Sequence, residues 1–215
     1  MLEADAASRL TCVAVTPDSD DWPADDLLHR LDVLLAGGVT AVMFREKRLD
    51  DAAFLRLGRR VKEQCDRHGA LFWLNERIHL QPALNAEICH LTFRSPDLAR
   101  ARELLPTHVG VTASIHDVLE GVRRVRNGLD AVVFGPVFPV PSKEGWVPVQ
   151  GLKTLRELVE RVSVPVVAIG GMIPERLRDV RACGATGAAA IRYFFENPRG
   201  QLAMEDWRRA WESCE

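Results

Sequence analysis

The segment VPVVAIGGMIPERLRDVRACGATGAAAI, residues 164–191, decides the fold because it contains one complete strand–helix–strand unit. Its first apolar run, 164–169, is continuous rather than alternating, as expected of a strand buried on both faces of a parallel sheet. Pro174 suits the first position of a helix, and Gly184 suits the residue after its end. The second run, 187–191, is rich in alanine and weak in β propensity, so its context alone predicts a strand.

The same unit recurs along the whole chain. Short apolar runs that predict strands end about every 25 residues, and they cover 11–15, 39–44, 70–74, 87–91, 109–113, 131–134, 164–169 and 187–191. Between them lie segments with helical spacing of apolar residues. Asp25 or Asp26, Asp50 and Asp117 are predicted to cap three of these helices, and Pro96 to open another.

Eight units of this size favour a closed barrel over an open, doubly wound sheet, and no GxGxxG motif follows the first strand. The predicted fold class is therefore α/β, a single (β/α)8 TIM barrel. We expect one domain over residues 1–215, with a core of about 10–195 and a C-terminal helix of about 203–214.

Composition excludes several classes of protein. The 215 residues include 28 Lys and Arg against 30 Asp and Glu, a net charge of −2, which argues against a general nucleic-acid binder or a polybasic membrane protein. No apolar run approaches the roughly 18 residues that span a bilayer. The acidic start, 1–5, lacks the order of a signal peptide, and the five cysteines are scattered. We expect a cytoplasmic protein with reduced thiols and without nucleic-acid or membrane partners.

Polar residues follow the second and third predicted strands, at the edge where the active sites of such barrels lie. Arg45 and Lys47 follow strand two, and two cations there suit an anionic ligand or a salt-bridge set at the rim. Asn75 and Glu76 follow strand three. Asn75 could bind a ligand or cap a helix, and Glu76 could reach a metal or act as a base.

The later strands add a histidine, a long loop and a glycine pair. His116 follows strand five and is either structural or an acid–base group. Residues 135–145 form a long, proline-stiffened loop, of the kind that is often functional. Gly170 and Gly171 end strand seven, and Arg192 follows strand eight, so a phosphate site or a simple turn could form there.

These stretches together carry a family resemblance. The order is R-E-K at 45–47, L-N-E-R at 74–77, S-x-H at 114–116, F-G-P-V-F-P-x-P-S-K at 134–143 and V-V-A-I-G-G-M at 166–172. It resembles the thiamine phosphate synthase superfamily over nearly the whole chain, from about Leu10 to Phe195. That family has two activities. A synthase joins a pyrimidine diphosphate to a thiazole phosphate with Mg²⁺ and releases pyrophosphate, and a TenI-type tautomerase moves a proton to aromatise a thiazole phosphate without a metal.

The resemblance implies roles for particular residues. Those implied to bind substrate are Arg45, Lys47, Asn75, Ser114, Lys143 and Gly151. Those implied to bind the thiazole phosphate are Gly170, Gly171, Ile191 and Arg192.

The chain also departs from the synthase pattern. Met43 stands where the synthase has a pyrimidine-binding Gln, and Glu76 where it has a metal-binding Asp. In place of H-L-G-Q-x-D, whose Asp is a second metal ligand, the chain has His90-Leu91 followed by Thr92-Phe93-Arg94-Ser95. Arg192 replaces a serine of the family. Losing metal ligands should weaken the departure of a diphosphate.

These departures favour the TenI-type branch. The predicted enzyme is a thiazole tautomerase without a cofactor, in which His116 relays the proton, with Glu76, or Cys89 behind it, as the second acid–base group. One alternative is a divergent synthase, with Mg²⁺ held through Glu76. Another is an inactive barrel that binds a phosphorylated ligand as a regulator. The expected ligand is a phosphorylated thiazole, and a homodimer is an open possibility.

Overall fold

The computed structural model describes residue 6 and residues 8–140 and 148–213. The strands of this part of the chain are β1 (Cys12–Val15), β2 (Ala41–Phe44), β3 (Leu71–Asn75), β4 (Ile88–Leu91), β5 (Gly110–Ile115), β6 (Ala131–Phe134), β7 (Val166–Ile169) and β8 (Gly187–Ala190). Each strand pairs in parallel with its neighbours in sequence, and β8 pairs with β1, which closes the barrel. The prediction of a (β/α)8 barrel is confirmed.

Helices alternate with the strands and cover the barrel. They are α1 (Ala24–Ala36), α2 (Asp51–His68), α3 (Gln81–Leu84), α4 (Leu98–Leu104), α5 (Val118–Arg126), α6 (Gly151–Arg161), α7 (Pro174–Ala182), α8 (Arg192–Phe195) and α9 (Gln201–Glu212), with a 3-10 helix at Ile78–Leu80. Within the described ranges, no helix is long and apolar enough to cross a bilayer.

Helix starts follow the predictions in part. Asp50 and Asp117 cap α2 and α5, since each carboxylate accepts a backbone N–H three residues later at 2.8 Å. Asp25 and Asp26 were wrongly predicted as caps, because Pro23 precedes the helix and both lie in its first turn. There their charges still favour the positive end of the helix dipole.

Helix α4 also starts at a different residue from the one predicted. Pro96 does not open it; Asp97 caps it and accepts the Arg100 N–H at 2.8 Å. Proline suits the first helical position, but an aspartate carboxylate satisfies a free N–H group, and that interaction sets the start here.

Two apolar layers lie on the two sides of the sheet. The inner layer fills the barrel with side chains that include Val13, Met43, Trp73 and Ala189. The outer layer packs the helices against the strands, and it includes the buried Trp207 of α9. Strand residues alternate between these layers, so both faces of every strand are buried, as the continuous apolar runs predict.

One polar network crosses the barrel interior. The Trp73 indole N–H donates to the Thr112 hydroxyl at 3.0 Å, and the ring nitrogens of His90 lie 2.9 Å from the hydroxyls of Thr112 and Ser114. A neutral imidazole has one donor and one acceptor nitrogen, so one hydroxyl donates to the ring and the other accepts. Burial, followed by the charge of Arg124, lowers the pKa of His90 to about 3.

The first prediction concerns acid stability. His90 stays neutral in the fold, whereas an unfolded histidine takes up a proton below about pH 6.5. Stability is therefore lost as pH falls through the window from about 6.5 towards 3, and His90 should account for about 2 kcal/mol between pH 7 and pH 5. Urea unfolding at the two pH values should show this loss in the wild type, and His90→Gln should lack it.

The control is His108→Gln, because His108 is exposed in the loop before β5. That variant should keep the full wild-type loss between pH 7 and pH 5. Equal losses in the wild type and in His90→Gln would contradict the prediction.

Candidate active site

A cavity of about 710 Å³ opens at the carboxyl end of the barrel. Segments that follow β1, β2, β6, β7 and β8 line it, and Arg45, Gly170, Gly171, Ile191 and Arg192 are among the lining residues. The barrel thus places residues from distant parts of the sequence around one space, as expected for the carboxyl ends of parallel strands.

Arg45 is held at the end of β2 by the segment after β1. The Thr16 hydroxyl donates to the Arg45 carbonyl at 2.7 Å, and the Arg45 N–H donates to the same hydroxyl oxygen at 2.8 Å. The guanidinium forms an ion pair with Asp18 at 3.1 Å. These contacts fix the direction of a cation on the cavity wall.

Glu46 is a structural residue of this edge that sequence reasoning missed. Its side chain is buried, and its two carboxylate oxygens accept the N–H groups of Ser19 at 2.5 Å and Arg48 at 2.6 Å. Glu46 therefore ties the loop after β1 to the loop after β2. The only signal in the sequence was an acidic residue between two cations.

Lys47 lies among charges of both signs. Burial lowers its pKa most, the positive charges of Arg45 and Arg94 lower it further, and the negative charges of Glu76 and Asp18 oppose this. Its backbone N–H donates to the Asp18 carboxylate at 3.0 Å. Lys47 is not among the residues that line the cavity. The charges that act on it include Glu76 and Arg94, so the charged part of the rim continues from Arg45 towards the ends of β3 and β4.

Asn75 and Glu76 form the β3 side of this group. Asn75 is the last residue of β3 and is buried. It does not cap the following 3-10 helix, because Arg77 is the residue that precedes that helix. Glu76 has a left-handed backbone, with φ of 62°, and its N–H donates to the His90 carbonyl at 3.0 Å. The Thr92 hydroxyl donates to the Glu76 carboxylate at 2.8 Å.

The turn around Glu76 lacks the second carboxylate that the family resemblance implies for magnesium. Ser95, at the position where the family resemblance implies a carboxylate, accepts the Thr92 N–H at 3.0 Å. Asp97 is occupied as the cap of α4. Glu76 is left as a single carboxylate whose charge acts on Lys47, and the described residues contain no cluster of three or more His, Cys, Asp or Glu. A magnesium ion here would have one carboxylate besides the phosphate oxygens of a substrate.

The glycine pair after β7 packs tightly against the loop after β6. The Val137 N–H donates to the Ile169 carbonyl at 2.9 Å, and the Phe138 N–H to the Gly170 carbonyl at 3.1 Å. A Cβ on Gly170 would lie 2.6 Å from Pro136, and one on Gly171 would lie 2.8 Å from Phe138. Both glycines also have positive φ, so this approach requires glycine.

Arg176 of α7 supports the same loops and was missed from the sequence. Its guanidinium donates to the Gly171 carbonyl at 2.5 Å and stacks on the Phe138 ring at 4.6 Å. An arginine in the first turn of a helix gave no signal, because its partners lie in loops whose course only the fold determines.

Several predicted site residues lie away from the cavity wall. Gly151 begins α6, and its N–H donates to the Val137 carbonyl at 3.1 Å. Ser114 contacts His90 inside the barrel. His116 is exposed, and its Nδ1–H donates to the Gly135 carbonyl at 2.5 Å. Lys143 lies outside the described residues.

At the end of β8, Ile191 and Arg192 do line the cavity. Ile191 immediately precedes α8, and the half-exposed Arg192 guanidinium lies 3.5 Å from Glu196. Arg192 is thus near the glycine pair but paired only at the surface, where such contacts are weak.

The chain is similar to known proteins over most of its length. A family model described as thiamine monophosphate synthase matches residues 12–194. A thiamine-phosphate synthase of Methanocella arvoryzae is 36% identical over 73% of this chain and 74% of that protein. One of Gloeobacter violaceus is 36% identical over 79% of this chain, which spans only 50% of that protein. The solved thiamine phosphate pyrophosphorylase from Pyrococcus furiosus has a TM-score of 0.88 and 26% identity, over 97% of this chain and 98% of that one.

The names of these relatives contradict the prediction that the chain belongs to the tautomerase branch of the family. They are named as synthases, which are transferases, whereas the sequence departures at Met43, Thr92–Ser95 and Arg192 had favoured a thiazole tautomerase. That prediction is wrong, because it weighed a few changed positions above similarity over most of the chain. The chain belongs to the thiamine monophosphate synthase family of thiamine biosynthesis.

Proposed function

We propose that this protein is a thiamine-phosphate synthase, which joins a pyrimidine diphosphate to a thiazole phosphate and releases pyrophosphate. One observation carries the proposal. A single cavity is lined by the cation Arg45, which follows β2, and by the Gly170–Gly171 turn and the start of α8, which follow β7 and β8. Two separate places for anions suit a reaction that brings two phosphorylated substrates together.

The chemistry needs positive charge rather than a proton carrier. The bond between the pyrimidine methylene carbon and the diphosphate oxygen breaks, and its electron pair leaves with the diphosphate. The thiazole ring nitrogen donates its lone pair to that carbon and forms the new C–N bond. No proton moves in either step, so the acid–base roles predicted for His116 and Glu76 are not part of this proposal.

The two anions are assigned to the two walls. The diphosphate is proposed to bind Arg45 and Lys47, whose charges favour the departing group. The thiazole phosphate is proposed to bind the backbone around Gly170, Gly171 and Ile191, which lines the cavity and is held in place by the loop after β6. Arg192, with its exposed guanidinium, can reach the same phosphate from the rim.

The pyrimidine ring is assigned to the space between these anions. Met43, at the position of the family's pyrimidine-binding glutamine, is buried in the inner apolar layer and offers the ring no hydrogen bond. Asn75 ends the neighbouring strand and carries an amide with both donor and acceptor atoms. We therefore expect the Asn75 amide to supply a polar contact of the ring.

The second prediction tests the synthase activity directly. Purified protein given both substrates should release pyrophosphate and form thiamine phosphate, and omission of either substrate should abolish both products. Arg45→Gln should lower kcat/KM by roughly 10² to 10³, because the cation acts where charge develops. The matched control is Arg48→Gln on the same loop as Arg45, because Arg48 forms only an exposed side-chain pair with Asp20 of the loop after β1, and it should stay within about twofold of wild type.

Two outcomes would contradict the proposal. Tight binding of thiazole phosphate without any pyrophosphate release would indicate a ligand-binding barrel instead. Equal activity of Arg45→Gln and wild type would remove the diphosphate from this wall of the cavity.

The third prediction tests the thiazole-phosphate wall with a matched pair of glycines. Gly171 and Gly69 have φ of 65° and 66°, but a Cβ on Gly69 would meet nothing within 4 Å. Replacing either with alanine should cost about 1 kcal/mol of stability through the backbone. Only Gly171→Ala also displaces Phe138, so it alone should weaken thiazole phosphate binding, at least tenfold by calorimetric titration. Equal affinities of the two variants would argue against this site.

A further inference from the structure

The turn after β4 presents an arginine beside Glu76. The Thr92 hydroxyl donates to the Glu76 carboxylate at 2.8 Å, and the Arg94 N–H donates to the Thr92 hydroxyl oxygen at 3.2 Å. The Ser95 hydroxyl closes the turn by accepting the Thr92 N–H at 3.0 Å. This network fixes the backbone of Arg94 next to the end of β3.

The Arg94 side chain is exposed and available to a ligand. Its guanidinium lies 5.3 Å from the centre of the Phe93 ring, which is 90% exposed. Between residues 8 and 140 and between 148 and 213, no carboxylate forms an ion pair with the head group of Arg94 or Lys47. Asp18, the nearby acid, is engaged by the Arg45 guanidinium and the Lys47 N–H.

We propose that Arg94 is a diphosphate-binding residue, and that its guanidinium, with Arg45 and Lys47, supplies positive charge at a turn that offers magnesium one carboxylate where the family pattern has two. The inference rests on the proposed function for the identity of the anion. A guanidinium presents several N–H donors in a plane and binds phosphate oxygens in a forked arrangement. Its charge is permanent near neutral pH.

This placement explains two departures from the family pattern together. A metal-binding carboxylate next to Arg94 would form an ion pair with it and withdraw it from the ligand. Ser95 avoids that pairing and instead stabilises the turn. The longer carboxylate of Glu76 is held by the Thr92 hydroxyl, which positions the turn that carries Arg94.

The test is calorimetric titration with inorganic pyrophosphate in EDTA, at low ionic strength. The wild type should bind pyrophosphate without a metal, and added Mg²⁺ should change its affinity by less than about threefold. Arg94→Gln should weaken binding about tenfold, and Arg94→Lys, which keeps the charge but loses the forked geometry, should fall between the two. The control is Arg100→Gln on α4, whose partner is Glu103, and it should match wild type.

Unchanged affinity of Arg94→Gln in EDTA would overturn the inference, as would wild-type binding that needs Mg²⁺. Thermal unfolding of each variant separates lost binding from lost fold. Pyrophosphate binding requires no turnover, so the two proposals fail separately. Binding that depends on Arg94 in a protein that forms no thiamine phosphate would refute only the synthase. Turnover with binding indifferent to Arg94 would refute only the role of Arg94.

Discussion

The pairing of β8 with β1 is the contact on which the rest of the structure depends. It requires glycine at position 187, since a Cβ there would lie 1.8 Å from the Leu10 carbonyl oxygen. The three alanines that follow are small enough to pair with β1 while the inner and outer layers stay filled. Once the barrel closes, the end of β8 lies beside the end of β1, and the cavity forms between residues almost the whole chain apart.

The rim of the barrel is organised by buried polar contacts rather than by exposed ion pairs. Glu46 joins the first two loops through backbone N–H groups, and Thr92 joins the third and fourth through Glu76. Buried or half-buried bonds of this kind hold their geometry, whereas exposed pairs such as Arg48 with Asp20 contribute little. Glu46 and Thr92 thus support the loops of Lys47 and Arg94 through backbone and hydroxyl groups, while the Asp18 carboxylate pairs with the Arg45 guanidinium.

The barrel and most strand positions could be predicted because buried parallel strands appear as continuous apolar runs in the sequence. The alanine-rich run at 187–191 has weak strand propensity, and it was predicted as a strand because it falls at the expected place in the repeating strand–helix pattern. The caps Asp50 and Asp117 followed from local chemistry. Arg176 and Glu46 could not be found, because their partners are backbone groups of loops distant in sequence. The predicted enzyme class was wrong because it rested on single changed positions such as Ser95, whereas the synthase relatives resemble the chain over most of its length.

Positive charge at a leaving diphosphate can come from a metal ion or from side chains, and the two sources demand opposite surroundings. A magnesium ion needs carboxylates nearby, and those carboxylates would pair with any arginine placed among them. An arginine that binds the diphosphate needs surroundings without such carboxylates and a backbone held in one conformation. The β4 turn has the second set of features: a serine in place of the acid, an internal hydroxyl network, and a single glutamate already engaged by Thr92. Exchange of one source for the other therefore has to occur as a group of changes, which is the pattern that Glu76, Thr92, Arg94 and Ser95 show together.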